Sequence, residues 1–277
     1  MILPALISLY DRLEADPERA IAAPGYSEQR VSFCVLLRPD GSLESIQDMR
    51  APAQDARGKA RAVARQMVVP GQSKPSGQGI NPCFLWDNAA YMLGFKPDDP
   101  KPERTRATFE AFRDRHLALE AEIDDPAFSA VCAFLRTWDP GAFAPDAETK
   151  DRLASFGVFR VDLGDGKPDF VHRRTAVREW WSRQQADTAG TETALMPSLI
   201  DGCPARIARL HEPAIKGVWG AQTAGARLVS FNARAFESYG RENGDIAPVG
   251  EDQAFKFGTA LNAILADPAR RTGIGDA

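Results

Sequence analysis

The stretch VSFCVLL at residues 31–37, followed by Pro39-Asp40-Gly41, decides the fold class of this chain. Every second residue from Val31 to Leu37 is large and apolar, which is the period of a β-strand with a buried face. Pro-Asp-Gly is a turn signal, because proline and glycine supply backbone angles that a tight turn requires. We therefore predict a hairpin whose less regular return strand covers residues 43–48.

Helical periodicity surrounds this hairpin on both sides. Apolar residues spaced by three and four predict helices over residues 2–13, 103–122, 126–138 and 251–265, and a second hairpin is predicted around residues 158–172. Strands that come in hairpins and helices that come in clusters predict an α+β fold.

The length of 277 residues suits one large domain or two small ones. The pattern breaks at residues 140–145, which contain two prolines. We therefore expect an N-terminal lobe at residues 1–140, a second lobe of the same N-terminal domain at residues 146–266 and a patternless tail at residues 267–277.

Charge and composition exclude several classes of protein. The 34 Lys and Arg against 38 Asp and Glu give a net charge of -4, which excludes a polybasic protein but leaves room for a local nucleic-acid site. The 44% of hydrophobic residues exclude a disordered chain. The sequence has no signal peptide and no uncharged run of membrane-spanning length, and its four cysteines are widely separated, so we expect reduced thiols in a cytoplasmic protein.

The sequence lacks the common catalytic motifs. It contains no G-x-S-x-G elbow, no H-E-x-x-H, no Walker P-loop and no G-x-G-x-x-G after a strand. His116, His172 and His211 have no carboxylate at a metal-binding spacing, and His116 is expected to be structural. We therefore expect a non-enzyme with no catalytic residue, no metal site and no cofactor.

A basic stretch between residues 50 and 74 is the first candidate binding site. It carries six cations against Asp55 alone: Arg50, Arg57, Lys59, Arg61, Arg65 and Lys74. We predict that Arg57, Lys59, Arg61 and Arg65 contact phosphates, which would strengthen binding to every nucleic-acid sequence alike.

A polar, glycine-bearing loop at residues 72–81 follows the basic stretch. Its glycines allow close approach to a ligand, and its amides and hydroxyls can hydrogen-bond base edges in a groove. The predicted base-recognising residues are Gln72, Ser73, Lys74, Ser76, Gln78 and Asn81. Asn81 is also a candidate N-cap for a helix predicted over residues 84–93, which would occupy its side chain.

A second polar segment runs from Lys216 to Asn232. We predict that this segment forms part of the DNA-facing or subunit-facing surface, with Lys216 and Arg227 on phosphates. Its polar candidates are Gln222, Thr223 and Asn232, of which Gln222 or Asn232 is expected near bases. The apolar residues 228–231 are expected to form a buried strand. Composition alone favours the alternative that both polar segments are ordinary surface loops rich in turn-forming residues.

Several motifs resemble one known family. They are Met1-Ile2-Leu3-Pro4-Ala5-Leu6, Phe84-Leu85-Trp86-Asp87-Asn88-Ala89-Ala90-Tyr91, Ala214-Ile215-Lys216-Gly217-Val218, Leu228-Val229-Ser230-Phe231-Asn232 and Ala235-Phe236-Glu237-Ser238-Tyr239-Gly240. In this order they resemble the Csd family, Dvulg subtype, which is the large subunit of the type I-C CRISPR surveillance complex, or Cascade.

The resemblance implies a non-catalytic subunit near the 5′ handle of the crRNA. Such a subunit would recognise the protospacer-adjacent motif in double-stranded target DNA, help to open the duplex and recruit a helicase-nuclease, while the guide RNA recognises the target sequence. Its partners would be the crRNA, other Cascade subunits and the target DNA. Because family members are much longer, we expect this chain to be an N-terminal part that lacks the family's C-terminal helical bundle.

Two other functions remain open at the level of sequence. The first is a protein-interaction module that binds complex subunits or a phage anti-CRISPR protein, since an inhibitor that mimics DNA would use the same basic surface. The second is a hydrolase with an unrecognised Asp/His site, which substitution of His172 or His211 would test.

Overall fold

The computed structural model describes most of the chain. The described residues are 2–16, 21–54, 58, 60–71, 79–164, 168–189, 195–221, 225–231, 233–267 and 270. They form two compact units, one at residues 25–188 and the other at residues 1–24 with 189–277. We call the first the sheet unit and the second the terminal unit.

The elements follow one another in the order α1 (Ile2–Glu14), β1 (Tyr26–Leu37), β2 (Leu43–Asp48), β3 (Ala51–Gln54), β4 (Ala60–Val63), β5 (Arg65–Pro70), β6 (Trp86–Asn88), α2 (Ala89–Met92), α3 (Pro102–Ala118), α4 (Pro126–Thr137), α5 (Ala147–Arg152), β7 (Phe156–Val161), β8 (Asp169–Phe170), α6 (Thr175–Ala189), β9 (Met196–Pro197), β10 (Pro204–Ala205) and α7 (Glu251–Ala266). This mixture of antiparallel strands and packed helices confirms the predicted α+β class.

A six-stranded sheet organises the sheet unit around β1. Its main path is β2-β1-β7-β6, with β5 paired to β1 and β8 to β7. The pairing of β1 with β7 is parallel, and the other pairings are antiparallel. Since β7 joins β1 in one sheet, the expected boundary at residues 140–145 lies inside a compact unit and not between two.

The alternation that predicted β1 places its two sets of side chains in two cores. Phe33, Val35 and Leu37 belong to the main core with the helices, whereas Cys34 belongs to a smaller cluster. Val31 breaks the alternation and joins the smaller cluster, because the register with β7 shifts between Val31 and Phe33. Gly157 lies opposite Phe33 in β7, and a Cβ there would come within 2.2 Å of the Phe33 ring. Any side chain at position 157 would collide with the Phe33 ring, so glycine is required there.

The first and last helices belong to the terminal unit. Leu6 and Tyr10 of α1 share a core with Phe257 and Ala260 of α7, as the helical spacing predicted for both segments. Lys256 of α7 forms an ion pair with Asp11 at 3.1 Å. In the described part of the chain no helix has the length and apolar character to cross a membrane.

Candidate nucleic-acid interface

The basic stretch forms a β-hairpin made of β3 and β4. Ala51 pairs with Val63 and Gln54 with Ala60, and the described residues between the strands include Gly58 with φ at +76°. Strand β4 and the start of β5 carry Arg61 and Arg65, whose side chains are both exposed. Arg57 and Lys59, the other predicted phosphate contacts, lie outside the described residues.

The hairpin interrupts one edge of the central sheet. Strand β2 pairs with the second half of β1 and β5 with its first half, both antiparallel. Val31 of β1 pairs with Arg65 on one side and with Phe156 of β7 on the other, so β5 lies on the edge that β2 also occupies. The hairpin therefore lies between β2 and β5 in the chain. Both of these strands are hydrogen-bonded to β1, which fixes the base of the hairpin.

Arg50 belongs to the scaffold and not to the exposed basic surface. Its guanidinium forms ion pairs with Asp48 at 2.8 Å and Asp151 at 2.5 Å, and only 12% of its side chain is exposed. Hydrogen bonds to these carboxylates raise the pKa of Arg50 and lower that of Asp48. Counting cations along the sequence therefore overstates the charge available to a ligand in this stretch.

The first end of the polar loop is held against the sheet. The indole N–H of Trp86 donates to the carbonyl of Pro70 at 2.8 Å, and the Gly71 N–H donates to the carbonyl of Gly25 at 2.7 Å. The indole N–H of Trp181 donates to the same Gly25 carbonyl at 2.6 Å. Buried indole donors thus fix the backbone at the point where β5 ends.

The second end of the loop is held by two further side chains. The Asn81 N–H donates to the hydroxyl of Tyr91 at 3.0 Å, and the Arg115 guanidinium donates to the carbonyl of Pro82. Burial lowers the pKa of Arg115. We call residues 70–71 and 79–82 the loop stem. The predicted base-recognising residues Gln72, Ser73, Lys74, Ser76 and Gln78 lie outside the described residues.

The predicted helix over residues 84–93 is wrong in its first half. Residues 86–88 form strand β6, and α2 begins at Ala89 with Asn88 as its N-cap. Asn81 therefore does not cap a helix, which removes the competing role foreseen for its side chain. The sequence pattern missed this because side chains hydrogen-bond the backbone of this segment, one of them from a residue 31 positions away.

Those hydrogen bonds come from a buried acid and a buried histidine. Asp87 accepts from the Cys83 N–H at 3.0 Å, and Nε2 of His116 accepts from the Leu85 N–H at 2.9 Å. Leu85 has φ at +61°, which is unfavourable for a bulky residue. Nδ1 of His116 lies 2.7 Å from the Phe112 carbonyl, so this ring donates at one nitrogen and accepts at the other.

The second polar segment belongs to the terminal unit and is only partly as predicted. Lys216 is exposed, and its backbone N–H donates to the amide oxygen of Asn262 at 2.9 Å. Arg227 forms a two-point ion pair with Glu212, so its guanidinium is already occupied. Gln222, Thr223 and Asn232 lie outside the described residues.

The buried strand expected at residues 228–231 is wrong. These residues form no strand, and Leu228 is 45% exposed. Three exposed aromatic residues nearby, Trp219, Phe236 and Tyr239, were not predicted as surface residues, since large aromatic side chains are mostly buried. The available signal was that a glycine directly follows both Trp219 and Tyr239 in the sequence.

The three histidines lie in the interior of the protein. His116, His172 and His211 are all buried, and burial lowers the pKa of each, to about 3 for His116 and His172. The structural role predicted for His116 is confirmed by its two backbone contacts. Among the residues that the structure describes, no three His, Cys, Asp or Glu side chains are grouped as metal ligands.

Comparison with protein families gives a match over nearly the whole chain. The family model described as CRISPR-associated protein (Cas_Csd1) matches residues 6–277, which is nearly the whole chain. No curated protein matches it. The resemblance inferred from the sequence motifs is therefore confirmed.

Proposed function

Because the chain belongs to the Csd1 family of CRISPR-associated proteins, which are large subunits of Cascade, we propose that it recognises the protospacer-adjacent motif in duplex DNA. In this proposal it is the non-catalytic subunit of a type I-C complex. It lies near the 5′ handle of the crRNA, helps to open the duplex and recruits the helicase-nuclease.

The observation that carries the proposal is the combination of a basic hairpin and an anchored polar loop at the two ends of one strand. Arg61 lies on β4 and Arg65 at the start of β5, and the loop stem begins at the end of β5. Cations that hold phosphates without sequence preference, combined with amides on a fixed stem, are what groove recognition requires. Arg50 and Arg227 are left out of the proposed interface, because carboxylates already occupy both.

The length of β5 sets the distance between the phosphate contacts and the polar loop. Arg65 and Gly71 are six residues apart, and five of the six steps lie within the extended strand β5. At about 3.3 Å per residue, the basic and polar ends are separated by roughly 20 Å. That distance equals about six base pairs at 3.4 Å each, so phosphate contacts are expected on the order of half a turn away from the motif.

Short amide and hydroxyl side chains favour the minor groove as the site of recognition. This groove distinguishes A·T from G·C pairs but has a degenerate pattern of donors and acceptors. Gly79 in the stem has no side chain, so the backbone can approach a groove closely there. We therefore expect the complex to tolerate some variant motifs and to exclude others.

The experiment is a binding assay on the full complex assembled with this chain and its crRNA. Duplexes carry one matched target and all permutations of the flanking triplet. We expect a small set of triplets to bind at least tenfold more tightly than the rest. Equal affinity for every triplet would overturn the proposal, and a nuclease or phosphatase activity lost with His172→Ala would favour the hydrolase alternative instead.

A further inference from the structure

Asn81 is the predicted base-recognising residue whose surroundings the structure describes. Its backbone N–H donates to the hydroxyl of Tyr91 at 3.0 Å, and the residue is half-buried. Within the described part of the chain, its side-chain carboxamide forms no hydrogen bond. Helix α2 is capped by Asn88, so capping does not explain the amide at position 81 either. The carboxamide of Asn81 therefore keeps its hydrogen-bonding capacity for a ligand.

The backbone next to Asn81 is held by side chains, because residues 79–83 lie outside any helix or strand. The carbonyl of Pro82 accepts from the Arg115 guanidinium. The N–H of Cys83 donates to the Asp87 carboxylate at 3.0 Å. Since these contacts exist without a ligand, little conformational freedom remains to be lost when Asn81 binds one.

The orientation of the carboxamide is related to Gly79. A Cβ on Gly79 would lie 2.9 Å from Nδ2 of Asn81, whereas Oδ1 is more than 4 Å from that position. The Nδ2 side of the amide thus lies against the backbone at Gly79, and Oδ1 lies on the other side. A larger residue at position 79 would displace the carboxamide. Asn81 therefore offers a ligand an oxygen acceptor at the end of a fixed stem.

An acceptor has one complement among the base edges of the minor groove. A·T and T·A pairs present only acceptors there, namely N3 of adenine and O2 of thymine. The G·C pair adds the single donor of this groove, the 2-amino group of guanine. Lysine and arginine side chains cannot accept a hydrogen bond, whereas an amide oxygen can. The chemistry of Asn81 Oδ1 therefore fits a G·C pair.

We propose that Asn81 recognises one guanine of the motif by accepting a hydrogen bond from its 2-amino group in the minor groove. Tyr91 and Arg115 are positioning residues, because they hold the backbone on which this acceptor stands. The inference rests on the proposed function, since the rest of the polar loop has to bring Asn81 into the groove. It adds the base pair that the motif must contain and the atom that recognises it.

The test uses the full complex and the triplet that binds most tightly when all permutations are compared. Each guanine of that triplet, on either strand, is replaced in turn by inosine, which lacks the 2-amino group and still pairs with cytosine. For the unsubstituted chain, we expect one replacement to weaken binding about fivefold, as the loss of one hydrogen bond predicts. Asn81→Ala should bind the guanine and inosine duplexes equally. The altered base pair is the same for both chains, so the cycle isolates the contact with Asn81.

Tyr91→Phe tests the positioning role. It keeps the ring but removes the hydroxyl that accepts from the Asn81 N–H, so the ratio of guanine to inosine affinity should fall towards one. Affinity for a duplex without the preferred triplet should change by less than about twofold, because phosphate contacts are unaffected. Tyr10→Phe is the matched control, since it removes a hydroxyl that donates to the Ala22 carbonyl at 2.9 Å in the terminal unit. The ratio should be unchanged in this control.

The outcomes separate this inference from the proposed function. Equal affinity for guanine and inosine at every position, with triplets still distinguished, would overturn the inference and leave the proposed function standing. A preferred triplet without a G·C pair would do the same, as would a guanine preference retained in Asn81→Ala. Equal affinity for every triplet would overturn both. The inosine comparison on the unsubstituted chain needs no variant, so misfolding cannot imitate any of these results.

Discussion

At the scale of single residues, His116 shows how one side chain sets a distant backbone. It lies on α3, 31 positions after Leu85, and accepts the Leu85 N–H at 2.9 Å. The ring is fully buried, and Phe84 and Phe112 pack against it with centroids 5.8 and 4.1 Å away. A neutral imidazole satisfies both of its contacts, whereas a proton on Nε2 would remove the acceptor that holds Leu85.

The first prediction concerns acid stability. Burial lowers the pKa of His116 to about 3, whereas the unfolded chain binds this proton near pH 6.5. The unfolded state therefore binds more protons between these values, and stability is lost as the pH falls from about 6.5 towards 3. The loss attributable to His116 is up to about 1.4 kcal/mol per pH unit.

Urea unfolding at a series of pH values checks this prediction. Four of the five tryptophans lie in the sheet unit, so tryptophan fluorescence reports mainly on it. His116→Gln should reduce the pH dependence of the free energy of unfolding by about one proton, whatever its effect on stability at pH 7. An unchanged pH dependence would contradict the assignment of a buried neutral ring.

The second prediction concerns Tyr239, which has φ at +54° and is 99% exposed. Tyr239→Asn should raise the free energy of unfolding of the terminal unit by about 1 kcal/mol, because asparagine tolerates positive φ and no packing is lost. Tyr239→Ala, which keeps the strain, is the control for stability. A lower unfolding midpoint for the Asn variant than for the Ala variant would show that the backbone is not strained there.

At the scale of elements, the proposal gives the hairpin and the loop stem different roles: the hairpin contacts phosphates, and the stem positions the polar loop. The third prediction is that the double variant Arg61→Ala, Arg65→Ala weakens binding to all duplexes alike. Two lost phosphate contacts should reduce the slope of log affinity against log salt by about 1.8. The charge-matched control is Lys101→Ala, Arg106→Ala, which removes two exposed cations at the start of α3. Unchanged affinity and slope in the hairpin variant would rule out its role.

The fourth prediction concerns the loop stem. Trp86→Phe keeps an aromatic ring but removes the N–H that donates to Pro70, so motif discrimination should fall while affinity for a motif-free duplex persists. Trp138→Phe removes an equivalent bond to the Leu93 carbonyl, at 3.0 Å, in a place remote from the loop along the chain. Both variants should lose about 1 kcal/mol of stability. Equal discrimination in the two would mean that the stem does not position the loop.

The secondary-structure elements show which parts of the fold could be predicted from the sequence. Strands β1 and β2 and helices α1, α4 and α7 follow from local periodicity and turn residues, and the structure confirms them. The β3–β4 hairpin was not predicted, because its Ala-Pro-Ala-Gln strand has none of the β-branched residues that typify strands. The helix error at residues 84–88 has a different cause, since His116 holds the Leu85 N–H from 31 positions away, a contact that no local pattern contains.

At the scale of the whole molecule, the chain has a net charge of -4, so a nucleic-acid site depends on where its cations are exposed. Arg61 and Arg65 are exposed on the hairpin of the sheet unit. In our proposal this hairpin holds duplex DNA while the polar loop recognises the motif.

The most direct measurement is the ratio of affinities for two matched targets, one with the correct motif and one without it. It is made on the complex carrying the variant Gln72→Ala, Lys74→Ala, Gln78→Ala, with the hairpin variant Arg61→Ala, Arg65→Ala as the comparison. We predict that the loop variant brings the ratio close to one while a single-stranded target is still bound, and that the hairpin variant lowers both affinities and leaves the ratio unchanged. Full discrimination by the loop variant would contradict the central claim, because the motif would then be recognised elsewhere.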